Sequence, residues 1–313
     1  MNFKISSPGK LLITSEYCVL KGAQAFAIPT KFKQHLNFKY KGSNNLTWKS
    51  FDYDNSLWFE CEFEIEKFDI IKNQNDLSLT LQKILRSAKK LNPNFLSKNQ
   101  GGEIITTLDF SKDWGLGTSS TIINNIAKWS NINSYELLWA NYNGSGYDVA
   151  CAQSSKPILY TLNNGLPVIK EIDFNPTFSK NLFFVYLNTK KDSNKEVDNF
   201  ITQKTDKSFI NNISKLTSRF IKSKSLNEFQ KCIIEHEELI SQILRKEKVK
   251  NKYFLDYDGE IKSLGAWGGD FILAAGPENS KDYFFDKGFK TVFNYNTIFQ
   301  KKFLKIKFLA RLM

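Results

Sequence analysis

Apolar and polar residues alternate along much of the first sixty-odd residues, which predicts β-strands. The alternation is clearest over residues 34–40, 46–51 and 57–63, and the clusters KGSNN and DYDNS between these segments are typical of turns. Over residues 77–91 leucine, isoleucine and alanine recur at intervals of three and four, which predicts an amphipathic helix. A short strand is predicted over residues 104–109. The chain therefore begins with several strands before its first clear helix.

The second half has a different order of elements. Residues 122–129 continue helically, 158–162 and 168–172 are predicted strands, and the stretch 174–181, FNPTFSKN, is the predicted domain boundary. Beyond it the pattern predicts a strand at 182–187, helices marked by residues 209–220 and 229–244, and strands near residues 262, 271–275 and 291–295. This order favours an α+β fold over a doubly wound parallel sheet. We expect domains over 1–175 and 176–300, followed by a basic tail, 301–313, of no assigned function.

Composition places the chain among ordinary globular proteins. Its 313 residues suggest about two domains, and 41% hydrophobic with 24% charged residues is typical of a soluble protein. The longest apolar runs fall far short of the ~18 residues of a membrane span, and the N-terminus lacks a secretory signal pattern. Four scattered cysteines without a CxxC pair fit a reducing compartment. We therefore expect a cytoplasmic protein without a membrane partner.

The net charge of +12 raises the question of a nucleic-acid partner. The 44 basic residues are spread along the chain rather than gathered into a block with interleaved aromatics, so no nucleic-acid partner is expected. A positive field would still attract a phosphorylated small substrate. The two histidines, His35 and His236, supply histidine-based metal or triad chemistry poorly.

The segment GLGTSSTI, residues 115–122, has two readings. Glycines let backbone amides approach a ligand, and a helix that begins at the hydroxyls adds oriented N–H groups, so the segment could hold a phosphate. The same hydroxyls could simply cap the helix, and we expect at least one of them to do so. The segment is not a Walker A loop, because no GK[ST] follows. Four hydroxyls exceed what a cap needs, which favours the phosphate.

Three further segments are ambiguous when taken singly. Residues 7–30 predict a Pro8–Gly9 turn into a strand and a second turn at Gly22, with Lys10 as a surface lysine or a ligand-binding one. KSLGAWGGD, residues 262–270, could be a hairpin turn. In GSGYDVA, residues 144–150, Asp148 could cap a turn or act as a base at the edge of a pocket.

Together and in this order, these segments resemble the GHMP superfamily of small-molecule kinases, such as galactokinase, homoserine kinase, mevalonate kinase and phosphomevalonate kinase. The family has an N-terminal PGK segment, a central Pro-x-x-x-Gly-Leu-Gly-Ser-Ser-Ala loop and a C-terminal Gly-Ala-Gly-Gly-Gly segment. This chain has SPGKLLITSEYCVLKGA, KDWGLGTSST and KSLGAWGGD in their places. The first and third segments and GSGYDVA are most similar to phosphomevalonate kinase, with mevalonate kinase close behind.

The resemblance implies a two-domain α+β fold, with a ribosomal-protein-S5-like N-terminal domain, a ferredoxin-like C-terminal domain, and ATP and acceptor in the cleft between them. It implies that Lys10 lies beside the transferred phosphoryl group and that Asp148 is the base. The loop implied to bind the ATP phosphates comprises Trp114, Gly115, Leu116, Gly117, Thr118, Ser119, Ser120 and Thr121. The residues implied for the substrate cleft are Glu16, Ser145, Gly146, Gly265, Ala266, Gly268, Gly269 and Asp270. Ser119 is the implied Mg²⁺ ligand, joined by Glu136, although its spacing to Asp148 is one residue longer than in mevalonate kinases.

Four positions depart from the family pattern. Thr118-Ser119-Ser120 stands where Ser-Ser-Ala is usual, so Thr118 and Ser120 differ. Ser111 replaces the proline before the loop, and Trp267 replaces a glycine of the third segment. A tryptophan there is expected to add bulk near the acceptor. The catalytic positions are retained, which predicts an active enzyme.

The predicted function is an ATP- and Mg²⁺-dependent kinase of a mevalonate-pathway acceptor, with 5-phosphomevalonate slightly ahead of mevalonate. A non-catalytic sensor of ATP or metabolites, and a kinase for homoserine or a sugar, remain alternatives. Asp148 as a base favours a hydroxyl acceptor, because a phosphate monoester is already largely ionised at pH 7. Lys190, Lys191 and Ser193 are acceptor-binding candidates by placement alone, and the protein is expected to be a monomer or a homodimer.

Overall fold

The computed structural model describes residues 2–189, 197, 200–202, 205–265 and 267–299. The predicted basic tail, Ala266 and the candidates Lys190, Lys191 and Ser193 lie outside these residues. Within the part described, no helix combines the length and apolar character that crossing a membrane requires.

A large sheet occupies the first half of the chain. Its strands are β1 (Phe3–Leu12), β2 (Ala25–Ser43), β3 (Asn45–Phe51), β4 (Leu57–Glu64), β5 (Ile70–Lys72), β6 (Gly101–Leu108), β7 (Ile158–Asn163) and β8 (Leu166–Glu171). The order across the sheet is β5-β4-β3-β6-β2-β7-β8, and β1 pairs with the long strand β2. Among these neighbours β3 and β6 run parallel and the other pairs antiparallel.

Four helices belong to this half: α1 (Asp76–Leu91), α2 (Thr118–Trp129), α3 (Ser134–Trp139) and α4 (Tyr147–Gln153). Their apolar faces are buried with inward-facing strand residues such as Trp48 and Phe63 in one core. The helical period of residues 77–91 thus corresponds to a real amphipathic helix, which starts at a capping box of Asn75 and Ser78. Helix α2 packs against β1, which brings its N-terminus next to the first motif.

A smaller antiparallel sheet follows in the second half, in the order β10-β11-β9-β12. Its strands are β9 (Leu182–Tyr186), β10 (Glu260–Ser263), β11 (Phe271–Ala275) and β12 (Val292–Asn294). Within the continuous described stretches of this half, 205–265 and 267–299, the helices are α5 (Lys207–Lys222), α6 (Leu226–Leu244), α7 (Val249–Tyr253), α8 (Ser280–Asp286) and α9 (Tyr295–Ile298). The two sheets share a core in which Phe26 and Ile28 of β2 are buried with Phe184 of β9 and Leu273 of β11.

The predicted strands and helices are present, with two differences. β2 is longer than its alternating part, because the continuous apolar run at its start is buried on both faces. The predicted turn at Pro8–Gly9 is wrong: both residues lie inside β1, and the register with β2 shifts between Pro8 and Lys10. The glycine serves a close approach instead, since a Cβ at position 9 would lie 2.8 Å from the carbonyl oxygen of Leu116. The first motif is therefore pressed against the loop before α2.

Candidate active site

A cleft of about 270 Å³ lies where the sequence motifs converge. The lining residues are Lys10, Leu12, Tyr17, Val19, Leu20, Lys112, Gly115, Gly117, Thr118, Ser119, Ser120, Leu138, Tyr142, Asn143, Gly144, Ser145, Tyr147, Asp148, Val197, Gly265 and Asp270. Residues separated by up to 260 positions in sequence thus share one cavity. All four of the segments singled out in the sequence contribute to it.

Strand β1 places Lys10 against the loop formed by residues 114–121, which we term the glycine loop. The Lys10 backbone N–H donates to the carbonyl of Leu116 at 2.8 Å, and its ammonium donates to the carbonyl of Gly115 at 3.0 Å. The Lys10 Nζ also lies 6.0 Å from the centre of the Tyr147 ring. A positive charge is therefore fixed at the point where the glycine loop and α4 meet.

The glycine loop requires glycine at two positions for backbone reasons. Gly115 and Gly117 have φ angles of 66° and 94°, which favour glycine over residues with a Cβ. At position 115 a Cβ would lie 2.4 Å from the carboxyl carbon of Asp270, and at position 117 it would lie 3.0 Å from Cγ of Lys10. The first and third motifs therefore close on the loop from both sides.

The hydroxyls of the loop fall into two pairs. Those of Ser120 and Thr121 donate to the carbonyl of Gly117 at 2.9 and 3.0 Å, so they are used within the protein. Ser119 is exposed, and like Thr118 it lines the cleft. The prediction that a loop hydroxyl caps α2 is wrong: the N-cap is Gly117, which has no side-chain oxygen, and the hydroxyls behind it bond its carbonyl instead.

An anion fits the cleft end of this loop. The first N–H groups of α2 have no partner within the helix, and Lys10 adds a full positive charge beside them. The lining residues also include Lys112, whose ammonium lies 2.9 Å from the carboxylate of Asp113. For a divalent cation the cleft offers the Ser119 hydroxyl and the carboxylates of Asp148 and Asp270 among its oxygens. Oxygen donors of this kind, completed by phosphate oxygens, suit Mg²⁺.

Asp148 lies in the first turn of α4, behind Gly146, whose φ of 85° closes the turn. One carboxylate oxygen accepts from the Val149 N–H at 3.0 Å. Burial against the cleft wall raises the pKa of Asp148 above its usual value, while the charge of Lys10 acts in the opposite direction. The cleft thus holds a half-buried carboxylate of increased basicity near a fixed ammonium group.

The wall beside Asp148 is largely apolar. Leu12, Val19 and Tyr147 belong to one packed cluster, and the other apolar side chains of the lining are Tyr17, Leu20, Leu138 and Val197. Sequence reasoning did not select Lys112, Tyr142, Asn143 or these apolar residues, because single apolar or polar residues outside a motif carry no recognisable signal. Motif spacing was the signal that identified the others.

Several predicted site residues lie elsewhere. Trp114 packs among Phe32, Phe271 and Phe293 rather than lining the cleft. Glu136 is exposed on α3 and does not line the cleft either. Leu116 and Thr121 are buried in the protein, and the loop residues Gly146, Gly268 and Gly269 shape the backbone without lining the cavity.

Glu16 and Trp267 are corrections of a different kind. Glu16 is buried in the protein and does not line the cleft, and its carboxylate is paired with Lys262. Trp267 does not add bulk near the acceptor as expected, because its side chain turns away from the cavity. It is buried with Tyr17, Phe200 and Ile240, and its indole N–H donates to the carbonyl of Glu247 at 3.1 Å.

No family model and no curated protein sequence matches the chain. Its fold, however, is similar to several solved structures. A Streptococcus pneumoniae phosphomevalonate kinase in complex with phosphomevalonate and AMPPNP has a TM-score of 0.67 at 14% identity, covering 93% of this chain and 99% of that one. The Methanococcus jannaschii mevalonate kinase has a TM-score of 0.61 at 16% identity, covering 94% and 98%. A Lactococcus lactis galactokinase complexed with galactose has a TM-score of 0.62 at 10% identity, covering 90% and 87%.

These similarities extend over nearly the whole chain, and the three structures are those of a phosphomevalonate kinase, a mevalonate kinase and a galactokinase. The α+β class predicted from the element order is confirmed. The resemblance drawn from the three motifs is confirmed at the level of the fold. The chain has the fold of the GHMP kinases.

Proposed function

We propose that this protein is an ATP-dependent kinase that phosphorylates a small acceptor of the mevalonate pathway, with 5-phosphomevalonate favoured slightly over mevalonate. The observation that carries the proposal is the meeting of Lys10, the glycine loop and Asp148 in one cleft. Phosphoryl transfer needs positioning and charge neutralisation more than covalent chemistry, and these residues provide both.

Each residue has a role in the proposed reaction. The amides at the start of α2 and the ammonium of Lys10 would stabilise negative charge on the transferred phosphoryl group. Mg²⁺, held by Ser119 together with the phosphates, would neutralise further charge on ATP. Asp148 would accept the proton of an acceptor hydroxyl, and its raised pKa brings it closer to working pH, where a general base is most effective. With a phosphate acceptor, already mostly ionised, Asp148 would orient the nucleophile.

The choice of acceptor rests on resemblance. The first and third motifs resemble phosphomevalonate kinase, and one similar structure contains phosphomevalonate. The apolar wall of Leu12, Val19 and Leu20 suits a short branched carbon chain better than a sugar, which presents hydroxyls on most of its carbons.

The decisive experiment is an ADP-release assay of the purified chain with Mg²⁺-ATP and mevalonate, 5-phosphomevalonate, homoserine or galactose, with the products identified by mass spectrometry. We expect turnover with 5-phosphomevalonate or mevalonate and a severe loss in Lys10→Met. Lys4→Met, an exposed lysine on the same strand, is the matched control and should behave as wild type. Absence of transfer to every acceptor would contradict the proposal and leave nucleotide binding without catalysis, the sensor alternative.

A further inference from the structure

The turn Ser15–Tyr17 leaves β1 in an unusual backbone conformation. Ser15 and Tyr17 have φ angles of 70° and 58°, in the left-handed region that residues with a Cβ rarely adopt. All three residues of the turn are buried. Such a conformation persists only where the surrounding contacts hold it in place.

The turn has local hydrogen bonds, such as that from the Ser15 hydroxyl to the carbonyl of Gln24 at 2.7 Å, and further contacts from the other half of the chain. The Ser15 N–H donates to Nε2 of His236 on α6 at 2.9 Å. The Glu16 carboxylate is paired with the ammonium of Lys262 on β10, and both side chains are fully buried. The Tyr17 hydroxyl accepts the backbone N–H of Trp267 at 3.3 Å. Each residue of the turn thus has its own partner in the C-terminal half.

The protonation of His236 agrees with this arrangement. Burial, with a further contribution from the charge of Lys262, lowers the pKa of His236 well below its usual value, so the imidazole is neutral. A neutral ring can accept the Ser15 N–H at Nε2. The 3.4 Å separation of that nitrogen from Glu16 is therefore a contact with a neutral ring rather than an ion pair. Lys262 is the cation of the cluster, with Glu237 at 3.7 Å as a second carboxyl group.

The turn determines where part of the cleft wall lies. Tyr17 and, soon after it, Val19 and Leu20 of the short turn Cys18–Lys21 line the cavity. Val19 packs in one cluster with Tyr147 of the helix that carries Asp148. A change in the backbone at Ser15 or Tyr17 would move the side chains of Tyr17, Val19 and Leu20. Gly117 and Ser119, which also line the cavity, belong to the glycine loop and not to this turn.

We propose that Glu16, His236 and Lys262 are positioning residues, which hold the Ser15–Tyr17 turn so that Tyr17, Val19 and Leu20 form the acceptor-binding wall. This assignment of the wall to the acceptor rests on the proposed function. The C-terminal half then shapes acceptor binding without touching the acceptor through these three residues. Nucleotide binding at the glycine loop is independent of them.

The test compares His236→Leu, which removes the acceptor of the Ser15 N–H, with His236→Gln, whose amide oxygen can replace Nε2. Hydrogen–deuterium exchange of residues 15–22 measures the stability of the turn. The KM and kcat for the acceptor report on the wall formed by Tyr17, Val19 and Leu20. Direct titration with ATP reports on binding at the glycine loop. Because a buried donor loses its partner, we expect roughly tenfold faster exchange and a roughly tenfold higher acceptor KM in His236→Leu. The affinity for ATP should stay within about twofold of wild type. Because its amide can replace the hydrogen bond, His236→Gln should return the exchange rate and the acceptor KM most of the way to wild type.

One control separates this effect from general destabilisation, and a second variant covers the case in which His236→Leu does not fold. Cys232→Ala changes a buried residue one turn earlier on α6, in a different cluster, and should leave exchange at residues 15–22 unchanged. If His236→Leu does not fold, the double variant Glu16→Gln/Lys262→Met removes the buried pair without leaving a lone charge, and the same exchange result is expected.

The outcomes distinguish this proposal from the proposed function. Unchanged exchange in both variants overturns the positioning role, and faster exchange with an unchanged acceptor KM overturns the assignment of the wall. If the wild-type chain phosphorylates no acceptor, the proposed function fails, and the assignment of the wall to an acceptor fails with it. The exchange measurement then still decides whether the C-terminal half holds the turn.

Discussion

The cleft and the charged cluster of Glu16, Glu237 and Lys262 are built from similar residues but differ in their exposure to solvent. In the cleft, Lys10 and Asp148 are only half-buried, and the space between the walls is open. In the cluster, Glu16, Glu237 and Lys262 are sealed from solvent. Both sites join the first motif to residues far along the chain. Burial disfavours the charged form at both sites. In the cleft it raises the pKa of Asp148, which remains accessible to a ligand, whereas in the cluster the charges pair with each other.

The difference lies in where the charges find partners. Glu16 and Lys262 neutralise each other, so neither is available to a ligand. Lys10 instead donates to a neutral carbonyl, which leaves its positive charge uncompensated by that contact. A buried pair is weak evidence for stability, but removing one partner is costly, because the other is left charged in the interior. Substitutions should therefore affect turnover at one site and folding at the other.

The largest effect is expected from Asp148→Asn in the cleft. Loss of the proposed base should lower kcat by about 10²- to 10⁴-fold. The variant should be at least as stable as wild type, because burial already raises the pKa of Asp148 and disfavours its charged form. Steady-state kinetics and thermal melting check the two statements. Asp173→Asn, at an exposed acid, is the control and should change neither; a near-normal kcat in Asp148→Asn would refute its role.

The reverse pattern is expected from Lys262→Met in the cluster. It leaves the Glu16 carboxylate buried without its cation, which should lower the free energy of unfolding by about 3–5 kcal/mol. Urea denaturation measures this loss, and Lys41→Met, at a surface pair with Glu103, should change little. If Lys262→Met is as stable as wild type, the cluster does not hold the fold, and the contrast between the two sites disappears.

A smaller effect is expected from Ser119→Ala in the glycine loop. The hydroxyl faces the cleft, so its loss should lower kcat/KM for ATP by roughly 10- to 100-fold, on the scale of a hydrogen bond to a charged group, without affecting stability. Ser120→Ala is the matched control, since that hydroxyl bonds the Gly117 carbonyl. We expect it to change the melting temperature more than the activity, and the opposite ranking would contradict the division of the loop hydroxyls.

The last prediction concerns Glu237, whose effect on stability is small for each pH unit and accumulates as pH rises. Burial raises the pKa of Glu237 to about 8, against about 4.3 for an unfolded glutamate. Between these values the folded state holds a proton that the unfolded state lacks, so Glu237 lowers the free energy of unfolding by up to about 1.4 kcal/mol per unit as pH rises. Glu237→Gln removes this slope, and its advantage over wild type should grow from pH 5 to 8. Glu235→Gln, exposed on the same helix, should show no such trend.

Sequence patterns were sufficient for the fold and for the members of the cleft that lie in glycine motifs. Period-two and helical patterns report burial of one face, which is local information, and β3, β4 and α1 followed from it. Gly115 and Gly117 were identifiable because glycine in a turn signals an unusual backbone. These strands, helices and turns depend on residues that are close in sequence, so a single sequence is sufficient to predict them.

The remainder depended on tertiary contacts. Nothing around Glu16 in the sequence shows that Lys262 will bury it, and the motif alone suggested that it lines the cleft. The sequence likewise did not predict that the Trp267 side chain is buried away from the cleft, because a glycine-rich loop permits it to point either way. The N-cap of α2 was predicted as a hydroxyl, since hydroxyls are common there. The left-handed Gly117 takes that position and frees Thr118 and Ser119 to face the cleft.

The pairing of Glu16 with Lys262 spans 246 positions of sequence. During synthesis the N-terminal sheet can form long before β10 leaves the ribosome, since domains tend to fold in order of emergence. Until then Glu16 has no cation, and the Ser15–Tyr17 turn lacks the contacts that His236, Lys262 and Trp267 supply. The cleft is therefore among the last parts of the molecule to be completed, and a nascent or truncated chain would carry the whole glycine loop yet lack a finished cavity.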